Sequence, residues 1–299
     1  MKLVFKILLF AGLIISSLVI PFRKMDLSNA DPFYRRFTVE GNKNLILGSS
    51  RAARAFNPDK IFQESGLNFS FTMSISPYGE TYFKAIQKMC KEGNGTVVME
   101  VCPIIFSEDE KYLTKESRFR ENKLMLGNMY TYDLKVNDEY MVKNFEKPLY
   151  QLIYFKDKND FSLEKNGWLH FHDTSKVNYE INLKNNLNYF EELNKRMKKC
   201  QIRIDWFKKT IEWLKVNHKK VILVRTPIAT EMLEMENKNW PDFNEVILQI
   251  ADKYNIKYFN FSTDLSFRTQ DGSHLGMNAA NSFSIRIGEF LKQLKSEGK

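Results

Sequence analysis

Short apolar runs alternate with amphipathic stretches along most of the chain after residue 41. The run over 96–101 is apolar and rich in β-branched residues, which is typical of buried parallel strands. The stretches between the short runs carry apolar residues at three- and four-residue intervals, as helices do when one face covers a sheet. The predicted strands are 45–48, 67–71, 96–101, 221–224 and 256–261, and the predicted helices are 58–65, 78–91, 202–217, 243–254 and 277–294. This alternation predicts an α/β fold, a three-layer α/β/α sandwich around a five-stranded parallel sheet.

One long segment interrupts this alternation. Residues 104–200 are rich in aromatic and charged side chains and have poor periodicity. We therefore expect one domain over 42–299, with the insertion at 104–200 forming a cap beside the sheet. The polar residues 25–41 are predicted to be a linker that precedes this domain.

The amino-terminal segment differs from the rest in hydropathy. Residues 7–22 contain no charge over 16 positions, and adding residues 3–6 gives about 30 Å of helix. The run has no polar face and ends in Val-Ile-Pro-Phe-Arg-Lys, which is a poor signal-peptide cleavage site. We predict that residues 1–24 are a single-pass membrane anchor. Basic residues flank the run on both sides, so the charge distribution does not decide its orientation.

Composition narrows the classes of function. A hydrophobic fraction of 43% and a charged fraction of 27% exclude a disordered chain. Three cysteines without a close pair exclude a disulfide scaffold and a four-cysteine zinc site, and we expect neither a metal nor a cofactor. The net charge of +9 comes from basic residues scattered among acidic ones, without a nucleic-acid-binding motif. We therefore expect contact with anionic lipid or glycan and no nucleic-acid partner.

Candidate chemistry follows the first and fifth predicted strands, where open parallel sheets bind their ligands. Gly48-Ser49-Ser50 follows the first strand, and Asp271 and His274 stand just before the last helix. A serine nucleophile needs a base, and a carboxylate orients the histidine that commonly serves as one. We expect Asp271 to raise the pKa of His274. Alternatively, Ser50 is only a helix cap and Asp271 belongs to a plain turn.

These two motifs resemble the first and last blocks of the SGNH/GDSL hydrolase superfamily, over about 44–104 and 202–294. The chain looks closest to membrane-anchored envelope members, related to D-alanyl-lipoteichoic acid biosynthesis proteins and alginate-type O-acetyltransferases. Their first block also reads Gly-Ser-Ser. The resemblance implies a flavodoxin-like sheet of the SGNH type, with Ser50 as the nucleophile, His274 as the base and Asp271 as its partner. It also implies a bacterial cell-membrane protein whose catalytic domain is extracytoplasmic.

Two blocks of the superfamily are altered in this chain. The second normally supplies a glycine whose backbone N–H binds the oxyanion, and Met73 and Ser74 stand in the matching stretch. The third normally supplies an asparagine, and here the third strand ends in Glu100-Val101-Cys102-Pro103. We expect the N–H groups of Met73 and Ser74 to bind the oxyanion. Arg225, at the end of the fourth strand, either binds an anionic group or forms a structural ion pair.

The expected function is that of a serine esterase or O-acyltransferase acting on acyl groups of a cell-envelope glycan. An acyl-serine forms first, and water or a sugar hydroxyl then takes the acyl group. A transferase of this kind could receive its donor from a separate multi-span membrane acyltransferase. Because fold does not fix function, the alternative is a non-catalytic envelope scaffold or glycan-binding protein on an SGNH-like fold.

Overall fold

A computed structural model describes residues 2–24, 41–73, 78–119, 161–164, 166, 168–171 and 178–296 of the protein. Its strands are β1 (Leu45–Gly48), β2 (Ser70–Met73), β3 (Gly95–Glu100), β4 (Ser107–Asp109), β5 (Phe161–Leu163), β6 (Leu169–Phe171), β7 (Met197–Lys199), β8 (Lys219–Arg225) and β9 (Lys257–Asn260). Its α-helices are α1 (Lys2–Lys24), α2 (Ser50–Ala55), α3 (Pro58–Ser65), α4 (Glu80–Met89), α5 (Tyr179–Arg196), α6 (Gln201–Val216), α7 (Thr230–Asn239), α8 (Phe243–Tyr254) and α9 (Met277–Ser296).

The central sheet has the strand order β2-β1-β3-β8-β9, and all its neighbouring strands run parallel. The prediction of a mixed α/β fold around a parallel sheet is confirmed. Because the strands are parallel, their carboxyl ends lie at one edge. The segments that follow β1, β3 and β8 therefore start at the same edge, which we call the carboxyl edge.

Helices cover both faces of the sheet, and successive strand residues point to opposite faces. In β3, Val97 and Met99 pack into the apolar cluster that includes residues of α6 and α8. Val98 lies between them in sequence and packs into the other cluster, which includes residues of α3 and α9. All three side chains are fully buried, and burying each contributes about 1.5–3 kcal/mol.

The local sequence explains the sharp bounds of α3. The Asn57 side chain accepts a hydrogen bond from the Asp59 N–H, and Pro58 occupies the first turn, where no N–H partner is needed. Gly66 ends the helix with a φ of +67°, a conformation that glycine adopts without steric cost. The predicted helix over 58–65 is confirmed at these bounds.

The inserted segment contains more regular structure than its sequence suggests. Helix α5 has 18 residues, and β4 pairs antiparallel with β7. Only Leu193 of α5 is buried, so the helix lacks the apolar stripe by which sequence patterns are recognised. Residues 179–196 therefore form a regular helix in spite of their poor periodicity, whereas residues 120–160 lie outside the described part. The cap over 104–200 stays a prediction.

The amino-terminal segment forms α1, which has 23 residues. Of the helices as far as the structure describes them, none is long and apolar enough to cross a membrane. The membrane anchor over 1–24 stays a prediction. Residues 25–40 of the predicted linker lie outside the described residues.

Candidate active site

Ser50 is the first residue of α2 and lies directly after the carboxyl end of β1. Ser49 caps the helix, because its Oγ accepts a hydrogen bond of 3.2 Å from the Arg51 N–H. This cap uses the buried Ser49 side chain and leaves the Ser50 side chain exposed. The turn therefore presents the Ser50 hydroxyl at the carboxyl edge of the sheet.

A buried carboxylate, that of Glu100, is hydrogen-bonded to this turn. Glu100 is fully buried and accepts hydrogen bonds from the Ser49 backbone N–H at 2.5 Å and from the Ser49 hydroxyl at 2.8 Å. A Cβ at Gly48 would lie 2.6 Å from the Glu100 Oε2 and 2.4 Å from the Ala52 Cβ. Glycine is thus required at position 48 for strand, helix and carboxylate to approach this closely. Burial raises the pKa of Glu100, and the hydrogen bonds from Ser49 oppose that rise.

Ser50, His274 and Asp271 form a continuous chain of hydrogen bonds. The His274 Nδ1 lies 2.8 Å from the Asp271 Oδ2, and the His274 Nε2 lies 2.9 Å from the Ser50 Oγ. A carboxylate only accepts hydrogen bonds, so the histidine proton belongs on Nδ1. The Ser50 hydroxyl then donates to the unprotonated Nε2. This is the arrangement that a general base and its serine nucleophile require.

The turn before α9 fixes the orientation of the Asp271 carboxylate. Its Oδ1 accepts hydrogen bonds from the backbone N–H groups of Ser273, at 3.0 Å, and His274, at 2.9 Å. Gly272, which follows Asp271 in the chain, has a φ of +86°, where other residues are strained. The Leu183 side chain also lies 2.5 Å from the position a Cβ would take at Gly272. A side chain at this position would therefore disturb both the turn and its packing against α5.

The electrostatic environment keeps His274 neutral and Asp271 ionised. Burial lowers the pKa of His274, the Asp271 carboxylate opposes this, and Arg54 and Arg51 lower the pKa further. Asp271 thus acts to raise the pKa of His274, as expected, but burial outweighs this contribution and the pKa lies below its ordinary value. Burial acts to raise the pKa of Asp271, but the hydrogen bond from His274 and the nearby Arg54 charge hold it well below its usual range.

Arg54 joins the site from the last turn of α2. Its Nη1 lies 3.6 Å from the Asp271 Oδ2, and its Nη2 donates a hydrogen bond to the Gln270 side chain. The guanidinium is 12% exposed, so its charge is only partly screened by water. This 3.6 Å contact is too long for a hydrogen bond, so its effect on the Asp271 carboxylate is that of a nearby positive charge.

Arg225 does not bind an anion from solvent. It is 1% exposed, and it donates hydrogen bonds of 2.7 Å to Glu236 and 2.8 Å to Asn244. Glu236 also pairs with the buried Arg51, 2.5 Å away. The assignment of Arg225 to substrate or oxyanion binding is corrected accordingly. It forms the structural ion pair, because a carboxylate already occupies its guanidinium in the protein interior.

The predicted oxyanion donors are described only in part. Met73 is the last residue of β2 and pairs in register with Gly48, two residues before Ser50. The chain therefore leaves β2 beside the turn that carries Ser50. Ser74 lies outside the described residues. The Glu100 carboxylate, at the end of β3, has no proton donor to offer an oxyanion when it is ionised.

Helix α5 contributes a residue that the sequence patterns did not indicate. The Asn186 Nδ2 donates hydrogen bonds of 2.9 Å to the Asp271 carbonyl oxygen and 2.7 Å to the Ser273 Oγ. Asn186 therefore ties the inserted segment to the turn that orients His274. No motif identifies this asparagine, since the contact depends on how α5 packs 85 residues away in the chain.

Comparison with known proteins adds no relative from which a function can be transferred. No protein-family model matches this chain, and no curated protein is significantly similar to it. Among the described residues, no group of three or more histidine, cysteine, aspartate or glutamate side chains is arranged to hold a metal ion. The chemistry is therefore argued from Ser50, His274 and Asp271.

Proposed function

We propose that this protein is a serine esterase or O-acyltransferase. The observation that carries the proposal is the unbroken hydrogen-bond chain from the Ser50 Oγ through His274 to the Asp271 carboxylate. Each member has the exposure that its role needs. Ser50 is exposed to a substrate, whereas the side chains of His274 and Asp271 are 15% and 21% exposed.

In the first half of the reaction, the Ser50 Oγ attacks the carbonyl carbon of an acyl ester. The hydroxyl proton moves to the His274 Nε2, which lies 2.9 Å away. The imidazolium that forms is stabilised by the Asp271 carboxylate on its other nitrogen. When the tetrahedral intermediate collapses, its C–O bond to the leaving alcohol breaks. The alcohol takes the proton from His274, and an acyl-serine remains.

In the second half, an acceptor hydroxyl attacks the acyl-serine. His274 removes the acceptor proton and returns it to the Ser50 Oγ as the new tetrahedral intermediate breaks down. With water as the acceptor the product is a carboxylic acid, and with a sugar hydroxyl it is a new ester. The same residues therefore support hydrolysis and transfer.

The oxyanion of both intermediates is expected to be bound by backbone N–H groups. The candidates are those of Ser50, Met73 and Ser74, because β2 ends at Met73 in register with Gly48, next to the Ser50 turn. The Ser50 N–H has no hydrogen-bond partner among the described residues, so it is free to take this role. The strand order matches the flavodoxin-like order that the SGNH resemblance implies.

The proposed substrate is an acylated cell-envelope glycan, and the proposed location is the outer side of a bacterial membrane. The charge-free run over 7–22 supports the anchor, as does the exposure of apolar side chains on α1, such as Leu3 at 70% and Phe10 at 66%. A multi-span membrane acyltransferase is the proposed donor partner if the reaction is a transfer. The proposed extracytoplasmic orientation follows from the SGNH resemblance alone.

Turnover of p-nitrophenyl acetate by the purified full-length chain tests the proposed chemistry. Ser50→Ala should abolish turnover, because it removes the hydroxyl that lies 2.9 Å from the His274 Nε2. The matched control is Ser266→Ala, which removes a serine hydroxyl that donates a hydrogen bond to Asp264, outside the Ser50–His274–Asp271 chain. Absence of turnover in the native protein, or its survival in folded Ser50→Ala, would favour the non-catalytic scaffold instead.

A further inference from the structure

A pocket lies at the edge of the sheet where the strands begin, which we call the amino edge. It has a volume of about 330 Å³, within the range of small-molecule sites. Four of its lining residues are lysines, namely Lys215, Lys219, Lys220 and Lys257, and we call it the lysine pocket. The other lining residues carry no charge. Because all strands are parallel, the lysine pocket and Ser50 lie at opposite edges of the sheet.

The four ammonium groups are not neutralised by carboxylates. Among the residues that the structure describes, none of the four takes part in an ion pair. Three of them donate hydrogen bonds to backbone carbonyl oxygens: Lys215 to Tyr254, Lys219 to Lys91 and Gly93, and Lys220 to Leu294. Lys257 is exposed and makes no such bond in the described part of the chain. Four lysines thus line this pocket without a carboxylate partner among the described residues.

These carbonyl bonds hold the lysines in position without using all their donors. An ammonium group has three N–H donors. Lys219, which is 5% exposed, uses two of them at 2.6 Å, and Lys220 uses one at 2.6 Å. Lys219 also hydrogen-bonds the Cys90 thiol, so the N–H groups that remain for a ligand belong to Lys215, Lys220 and Lys257. A compact anion with several acceptor oxygens would satisfy these donors and relieve the repulsion between the charges.

We propose that the lysine pocket binds the phosphate of an anionic phospholipid headgroup. This inference rests on the proposed membrane anchor. The chain coming from α1 enters the domain at Asn42, just before β1, and therefore at the amino edge. Val216, beside Lys215 and 76% exposed, places an apolar side chain where it can enter the interfacial region. Docking by this edge turns the Ser50 edge away from the bilayer and toward the glycan.

Hydrogen exchange of the full-length chain in lipid nanodiscs tests the proposal. Phosphatidylcholine discs are compared with discs in which about a third of the lipid is phosphatidylglycerol. The anionic discs should slow exchange in peptides covering 215–221 and 253–258, and 0.5 M salt should remove the difference. Equal exchange in the two disc types would overturn the inference. Equal slowing by inorganic phosphate in phosphatidylcholine discs would overturn the lipid as the source of the phosphate.

Variants in which glutamine replaces a lysine identify the lysines that contribute to docking. Because a basic residue near an anionic surface contributes about a fivefold change in binding, Lys257→Gln should weaken docking about fivefold. Lys220→Gln/Lys257→Gln should weaken it about 25-fold. The control Lys184→Gln/Lys238→Gln removes the same charge from exposed positions on α5 and α7 and should dock normally. Docking that is equally sensitive to both double variants would reduce the effect to net charge and contradict a specific pocket.

The design separates this inference from the proposed function. If the chain does not assemble into either type of disc, the membrane anchor fails. If it assembles but shows no protection at the amino edge, only the lysine pocket fails. Ester turnover is not part of either readout, so neither result depends on the assignment of Ser50.

Discussion

Replacing Asp271 by asparagine should nearly abolish ester turnover while leaving the shape of the site unchanged. The Asp271 Oδ1 accepts hydrogen bonds from two backbone N–H groups, at 3.0 and 2.9 Å. In Asp271→Asn these donors require the amide oxygen at the same place, so the amide NH2 faces the His274 Nδ1. The neutral histidine then carries its proton on Nε2 and cannot accept the proton of Ser50. In triads of this type the wrong tautomer lowers kcat by about 10⁴, or about 5–6 kcal/mol in barrier height.

The assay is kcat/KM for p-nitrophenyl acetate at pH 7.5, with the melting temperature measured alongside. A matched control is Asp264→Asn, since Asp264 also accepts a backbone N–H in a turn, from Ser266 at 3.1 Å, and pairs with Arg286. That variant should retain native kcat/KM. His274→Ala should lose more than Asp271→Asn, because an absent base costs more than a misoriented one. An Asp271→Asn enzyme within tenfold of native activity would refute the role given to the carboxylate.

Three further predictions follow from the same geometry. Because the pKa of His274 is lowered from 6.5, its neutral form persists to lower pH. A pH profile of kcat/KM should therefore keep more than about half of its plateau at pH 6.5 and more than about a tenth at pH 5.5, and a midpoint above 6.5 would contradict this. Asn186→Leu removes both hydrogen bonds to the Asp271 turn and should lower kcat/KM about 10- to 100-fold. The control Asn185→Leu, at an exposed position on the same helix, should keep native kcat/KM, and equal effects of the two variants would argue against positioning by Asn186. Gly48→Ala places a methyl group against Glu100 and should lower the free energy of unfolding by about 1–3 kcal/mol in a denaturant titration, and an unchanged midpoint would show that the turn can relax.

The sequence predicted those elements that bury one apolar face. The helices over 58–65 and 243–254 begin and end where the hydrophobic pattern predicted, because their flanking residues stop the helix at the same positions as the apolar pattern. Helix α5 was missed, since only one of its side chains is buried and its pattern is polar. Helix α2, at Ser50–Ala55, was not among the predicted helices, because six residues are too few to show a helical period.

In the candidate site, contacts between residues close in sequence could be predicted, whereas contacts between distant residues could not. Asp271 and His274 are three residues apart, so one turn brings them together, and their spacing indicated the pair. The partners of Arg225 could not be read from its position at a strand end, because Glu236 belongs to a helix with no motif. The direction of the pKa of His274 also depended on distant residues. Burial and Arg54, on the nucleophile helix, outweigh the neighbouring carboxylate.

The most direct test of the central claim is covalent labelling of the full-length protein with a fluorophosphonate probe, followed by peptide mapping. The probe reacts with a serine that a neighbouring base activates, so it reports on the Ser50–His274 contact without knowledge of the substrate. The account predicts one label per chain on Ser50 and none on Ser49, with loss of the label in Ser50→Ala and strong slowing in His274→Ala. An unlabelled native protein, or a label that persists in Ser50→Ala, would contradict it.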